Sequence, residues 1–152
     1  MAYATSEARQ QLLDTVAEAA DELGFALACL AEAYEKLDEH NGDRLEQGFF
    51  RPVQLAYGRA KRTHGEFAAR HGLAGRDFEQ PSAGVSSSGA TGFIERAVEA
   101  VGEADRALAE LQDSMLPVEA GDEALRAELA AVRERVAGLP ERARELRRTL
   151  GR

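Results

Sequence analysis

The feature that most constrains this chain is a set of long stretches in which apolar residues recur at alternating steps of three and four, the spacing that lines one face of an α-helix. The first carries Val16, Ala20, Leu23, Leu27, Leu30, Tyr34 and Leu37, and the second Phe50, Val53, Tyr57, Ala60, His64, Phe67 and His71. A third runs through Ile94, Ala97, Val101, Ala104, Leu108, Leu111 and Met115, and a fourth through Leu125, Leu129, Val132, Val136, Leu139, Ala143, Leu146 and Leu150. No stretch alternates apolar and polar residues for long enough to make a strand. A one-sided apolar helix is stable only against another such helix, so the chain is expected to be all-α.

Turn chemistry places the boundaries. Ser6 is the expected N-cap of a first helix over residues 6–41, with Asn41-Gly42 as its stop. A second helix over 43–72 either kinks at Pro52 or begins there, and ends on Gly72 followed by the apolar Leu73. The third spans 91–116 and the fourth 122–150, the latter kinked or broken at Pro140 without loss of phase. Residues 74–90 contain GRDFEQPSAGVSSSG, a run without period that reads as a long flexible link between helices 2 and 3. The expected architecture is an antiparallel up-down-up-down four-helix bundle occupying 1–152 as one domain, with helices about 40–50 Å long at 1.5 Å per residue.

Charge bears on both partners and packing. The net charge of −8 disfavours nucleic acid or an anionic membrane as the main partner. Taken helix by helix, acids and bases give −7, +3, −4 and +2 for residues 6–41, 43–72, 91–116 and 122–152. In the up-down-up-down order every neighbouring pair is oppositely charged, which predicts helices 1 and 3 on a diagonal. The N-terminus lacks a basic segment followed by an apolar one, no 18 apolar residues run together, and Cys29 is the single cysteine. A cytoplasmic protein with no membrane span and no internal disulfide is expected.

No nucleophile–base pair, phosphate-binding glycine loop or metal-ligand spacing is present, so a non-catalytic chain with no cofactor and no metal is expected. The residues three before His40, His64 and His71 are Leu37, Lys61 and Ala68, which excludes the Glu-x-x-His pairs of a ferritin-like di-metal bundle. Phe67 stands where a His-x-x-Lys phosphotransfer helix would need lysine.

Two surfaces remain as candidates. LGFALACLA, from Leu23 to Ala31, is apolar on both faces of helix 1, so something must cover its outer side. Leu23, Phe25, Ala28, Cys29 and Glu32 are the interface candidates, and the expected function is a protein-interaction or assembly module, homo-oligomeric or bound to another protein. The alternative is a small-molecule or metal-binding bundle. Tyr57, His64 and His71 place polar-tipped rings on one stripe, and folding the first hairpin about residues 41–43 sets His64 opposite Ala20 and beside Ala19, where small side chains leave room. Gly58 and Gly65 repeat at the same seven-residue interval and suggest a packed flank. The arginines from Arg142 onward suit a solvated helix end or an acidic partner. Finally, Tyr34 to Asp38 resembles the Tyr-x-x-x-Asp/Glu element of type VII helical-hairpin substrates. The Trp-x-Gly turn of that family is missing, and no role is carried over to these residues.

Overall fold

A computed structural model describes residues 2–86 and 88–150, and every regular element among them is helical. In chain order these are α1 (Ala2–Glu35), α2 (Glu39–Leu45), a π-helical turn (Glu46–Phe50), α3 (Arg51–Arg70), α4 (Gly89–Asp113), the single turn α5 (Leu116–Glu119), α6 (Glu123–Val136) and α7 (Leu139–Leu150). One contiguous apolar core joins them. All-α is therefore correct, and the four seams are the buried stripes, with Leu37, Phe50, His71 and Leu150 half-buried; Tyr34 is 40% exposed and Met115 is 59% exposed. Both lie where the helical period ends, at the last turn of α1 and just past α4.

The first hairpin turns earlier than Asn41-Gly42 suggests. α1 stops at Glu35 and Asp38 caps α2, its Oδ1 accepting from Asn41 N at 2.8 Å. Gly42 lies inside α2 instead, where a Cβ would meet the Tyr34 ring at 3.2 Å. At the other end α1 begins at Ala2, so Ser6 lies within it and does not cap it. The chain remains helical through Pro52. A proline clashes with the carbonyl four residues back, and the wider π turn immediately before it, closed by Arg51 N–H to Glu46 O, gives that ring room. Gly72, at φ +67°, and Leu73, whose N–H reaches the Ala68 carbonyl at 2.8 Å, complete the expected C-terminal motif of α3. The fourth rod breaks at Ala137-Gly138 just before Pro140, yet Val136, Leu139, Ala143 and Leu146 continue one buried stripe.

The order of the rods differs from the expected one. α1 packs on α3 and, most extensively, on α4, while α6 and α7 close the far side against α3 and α4. Helices 1 and 3 of the sequence reading are thus neighbours, and the up-down-up-down order is overturned. Lys36 lies over the Phe93 ring at one end of the α1–α4 pair and Arg9 donates to the Ala120 carbonyl at the other, so the pair is antiparallel. Arg59 with Glu128 and Arg70 with Asp122 make α3 antiparallel to α6, and Arg133 with Asp105 and Arg147 with Glu95 do the same for α4 against α6 and α7. Being antiparallel to the same helix, α3 and α4 run parallel to each other on opposite corners.

Parallel α3 and α4 require the chain to return the length of the molecule between them. Residues 71–86 do so: fully extended they reach about 50–55 Å at 3.3 Å per residue, against about 30 Å for α3 at 1.5 Å per residue. They form a strap across α1 and are not a free link. Arg76 bonds Asp21 of α1, Phe78 stands edge-on to His64 of α3 at 5.3 Å between ring centres, and the Ala83 carbonyl accepts from Arg96 of α4. The reason the charge pattern fails is one of magnitude. Solvated ion pairs contribute about 0–1 kcal/mol each, whereas apolar burial contributes about 25 cal/mol per Å². α1 has two apolar sides, and the arrangement that covers both places it between α3 and α4 beneath the strap.

Candidate functional site

Because α1 and α4 lie side by side, the two most acidic helices share a surface. On α1, Asp14, Glu18 and Glu22 follow one another at one-turn intervals, with Asp21 beside them. On α4, Glu99, Glu103 and Glu110 face the same side, and a groove of about 360 Å³ runs between Glu18 and Glu22 on one wall and Glu103 and Glu110 on the other. Arg106 neutralises only Glu103, at 2.8 Å. Burial and then the neighbouring charges of Glu103 and Glu18 push the Glu22 carboxyl above its ordinary range. A second groove continues along Phe25, Arg96 and Glu99.

On its other flank α1 meets α3 and the strap around a cavity of about 660 Å³, with Asp14, Glu18, Glu22 and Ala17 on the α1 side, His64 from α3 and Arg76 from the strap. Asp21 is held by Arg76, whose Nη2 donates to both carboxylate oxygens at 3.0 and 2.9 Å. His64 is 4% exposed and its Nδ1 has no hydrogen-bond partner. Desolvation, reinforced by the Arg76 charge, lowers the His64 pKa, and Asp14 and Asp21 oppose that shift only in part. The neutral ring is therefore the favoured form near neutral pH, with one nitrogen a donor and the other an acceptor.

The remaining expected ligand residues do not gather with His64. Tyr57 is buried one step along, its ring 3.2 Å from where a Gly24 Cβ would stand and Lys61 Nζ 4.2 Å from its centre. Burial pushes its phenol up. His71 turns to the other side of the molecule, where its Nε2 and the Arg70 guanidinium both bond Asp122, the N-cap of α6. Arg70 above all, with the Leu125 N–H and His71, holds the Asp122 carboxyl far below the usual carboxylate range. Ala19 and Ala20 are fully buried, and Ala17, one turn earlier, lines the cavity opposite His64. That shift follows from the earlier hairpin turn.

Of the interface candidates, Leu23 and Cys29 are wholly buried and Phe25 and Ala28 are partly buried against the core. The chain covers this face of α1 itself, with α4; Glu32 is exposed. Burial pushes the Cys29 thiol up, against the lowering effect of Arg96. Gly58 and Gly65 face open space, with nothing within 4 Å of an added Cβ, so no packed flank surrounds them. Among the described residues no three His, Cys, Asp or Glu side chains are grouped to hold a metal ion, and no helix is long and apolar enough to cross a membrane. The sequence reading did not single out Asp14, Glu18, Glu22, Arg76 or Glu103. The one-turn spacing of the first three was legible, but their shared surface with Glu103 depends on which helix neighbours α1.

No family model matches the chain, and no characterised protein or solved structure matches it.

Proposed function

We propose that the chain is a non-catalytic, cytoplasmic helical-bundle interaction module whose working surface is the acidic face shared by α1 and α4, and whose partner is a basic segment of another protein or of a second copy. One observation carries this reading: two helices of like charge pack side by side, and Glu22, Glu99 and Glu110 have no ion-pair partner among the described residues. Like charges on facing helices oppose folding, and a basic partner relieves that repulsion on binding while steering its own approach. The reading replaces the apolar face at Leu23 and Cys29, which the chain's own helices occupy.

The test is fluorescence anisotropy with a helical peptide bearing lysine at every fourth position, at low salt. Neutralising the α4 side with Glu99→Gln, Glu103→Gln and Glu110→Gln is expected to weaken binding at least tenfold. A control with Glu39→Gln, Glu119→Gln and Glu134→Gln, which removes as many exposed acids elsewhere, is expected to change it less than twofold. Equal weakening in the two variants would show that the peptide responds only to net charge and would refute the assignment.

A further inference from the structure

The strap is loosely attached where it crosses α1 and α3, and one of its few contacts covers a group that the interior leaves unsatisfied. Among the described residues no backbone–backbone hydrogen bond involves residues 74–86. Ala83 and Ser86 dock the end of the strap on α4, through Arg96 and beside Gly92. Between Leu73 and Ala83 the ties to the helices are the Arg76–Asp21 ion pair, whose side chains are both nearly half exposed, and the Phe78 ring against His64. Every other residue of 74–82 is exposed. A segment with so few buried contacts opens more easily than the helices beneath it. Under Phe78 lies His64, 4% exposed, with Nδ1 enclosed and unpartnered. A neutral imidazole tolerates this, because the tautomer protonated on Nε2 leaves only a lone pair unused at Nδ1. An imidazolium does not: both nitrogens then carry N–H, and the enclosed donor of a charged ring meets no acceptor. The charges facing the ring are mixed. Arg76 of the strap opposes a positive ring, and Asp14 and Asp21 of α1 favour one. Glu18 and Glu22 stand along the same cavity, and Lys61, one turn earlier on α3, lies over Tyr57.

We propose that residues 74–82 are an acid-released strap: on protonation of His64 the segment carrying Arg76 and Phe78 leaves α1 and α3 while the helices stay packed. Gly72 and Gly84, at φ +67° and +74°, bracket the segment and are its hinges. Arg76 stacks on Phe78 at 4.6 Å, so the cation and the covering ring leave together. Their departure opens the imidazolium to water and leaves Asp14 and Asp21 in place to stabilise it. The open form therefore binds the proton more tightly, and acid draws the population toward it. In the open form the ring regains the ordinary imidazole pKa of about 6.5, so at pH 5.5 it is charged about ten times as often as neutral. That ratio limits the gain in open population to about tenfold. Release uncovers Ala17 and the cavity wall around His64 and frees Asp21 of its arginine. The device uses neither Glu99, Glu103 nor Glu110 and does not rest on the acidic α1–α4 face.

Chymotrypsin cleavage of the whole chain after Phe78, quantified by mass spectrometry, measures the opening. Dividing each rate by that of a free peptide of residues 74–86 at the same pH cancels the pH dependence of the protease, and far-UV circular dichroism follows the helices in parallel. Between pH 7.5 and pH 5.5 the normalised wild-type rate is expected to rise about five- to tenfold with the helical signal unchanged. In His64→Leu it is expected to stay low and flat. In His71→Gln, which alters the histidine at the start of the strap, it is expected to rise as in wild type. Arg76→Gln removes the tie to Asp21 and is expected to raise the rate at both pH values. A flat wild-type rate would overturn the proposal, as would a rise that persists in folded His64→Leu or disappears in folded His71→Gln. Helical signal lost in step with cleavage would also overturn it, because the strap would then open only when the whole chain unfolds. Proton NMR of wild type needs no substitution: the His64 and Phe78 ring signals are expected to shift together over this pH range, and titration of His64 with Phe78 unmoved would refute the release.

Discussion

Replacing His64 by leucine should make the protein more stable. The ring is 4% exposed, and its unpartnered Nδ1 represents a desolvation loss of about 1–3 kcal/mol that an apolar side chain does not incur. Against this, leucine forfeits the edge-on contact with Phe78, worth about 0.5–1.5 kcal/mol. The difference is a gain of roughly 1 kcal/mol at pH 7.5, or a melting temperature about 2–4 °C higher for a chain of this size. The gain should grow on acidification. Burial and Arg76 hold the folded His64 pKa below 6.5, so the unfolded chain takes up the proton first and wild-type stability declines as the pH falls through and below 6.5. Leucine removes that contribution. Urea denaturation followed by far-UV circular dichroism at pH 7.5 and pH 5.0 measures both effects. If His64→Leu instead cost 2 kcal/mol or more by the same amount at both pH values, the ring would be a well-satisfied packing element and the reasoning from its unpartnered Nδ1 would be refuted.

Further outcomes follow from other parts of the fold. Asp122→Ala removes the α6 N-cap together with the bonds to Arg70 and His71, and should cost about 2–3 kcal/mol, a moderate sum because the carboxylate is a quarter exposed. Asp122→Asn keeps the cap and should cost about half as much. Because the folded carboxyl pKa is depressed, the stabilisation is present above pH 4 and is lost as the pH falls below it, so the two variants and wild type should converge in denaturation curves taken at progressively lower pH. Gly58→Ala and Gly65→Ala, each with open space where the methyl would stand, should stabilise by about 0.8–1 kcal/mol apiece and add in the double variant, as read by thermal melting. A loss of stability at either position would mean that the flank is packed against something.

How far the candidate site was legible depended on the range over which each signal acts. His64 was picked out correctly as an imidazole on an apolar seam, because the 3.6-residue period alone places it inward. Its neighbours were misassigned. His71 shares the period but sits in the last turn, where Asp122 from α6 draws it away, and no local feature of either segment encodes that meeting. Ala20 gave way to Ala17 because the chain turns after Glu35, where Asp38 provides a cap, and not at the more familiar Asn-Gly pair. Arg76 and Phe78 were hidden in a segment whose composition suggested a free link. Their partners Asp21 and His64 lie 55 and 14 residues away in the sequence.

By itself the sequence determined the all-helical class, the apolar stripes, a break in the fourth rod near Pro140 that keeps its phase, and the need to cover both sides of α1. All of these follow from backbone geometry and from periodicities that act within a few residues. Only the tertiary structure decided which stripe meets which. Apolar burial is nondirectional, so four similar seams are interchangeable to it, and the surface charges that distinguish them are too weakly coupled in water to choose. The choice fell to the strap, long enough to carry the chain back along α1, and with it came the juxtaposition of α1 and α4 that brings the acidic groups together.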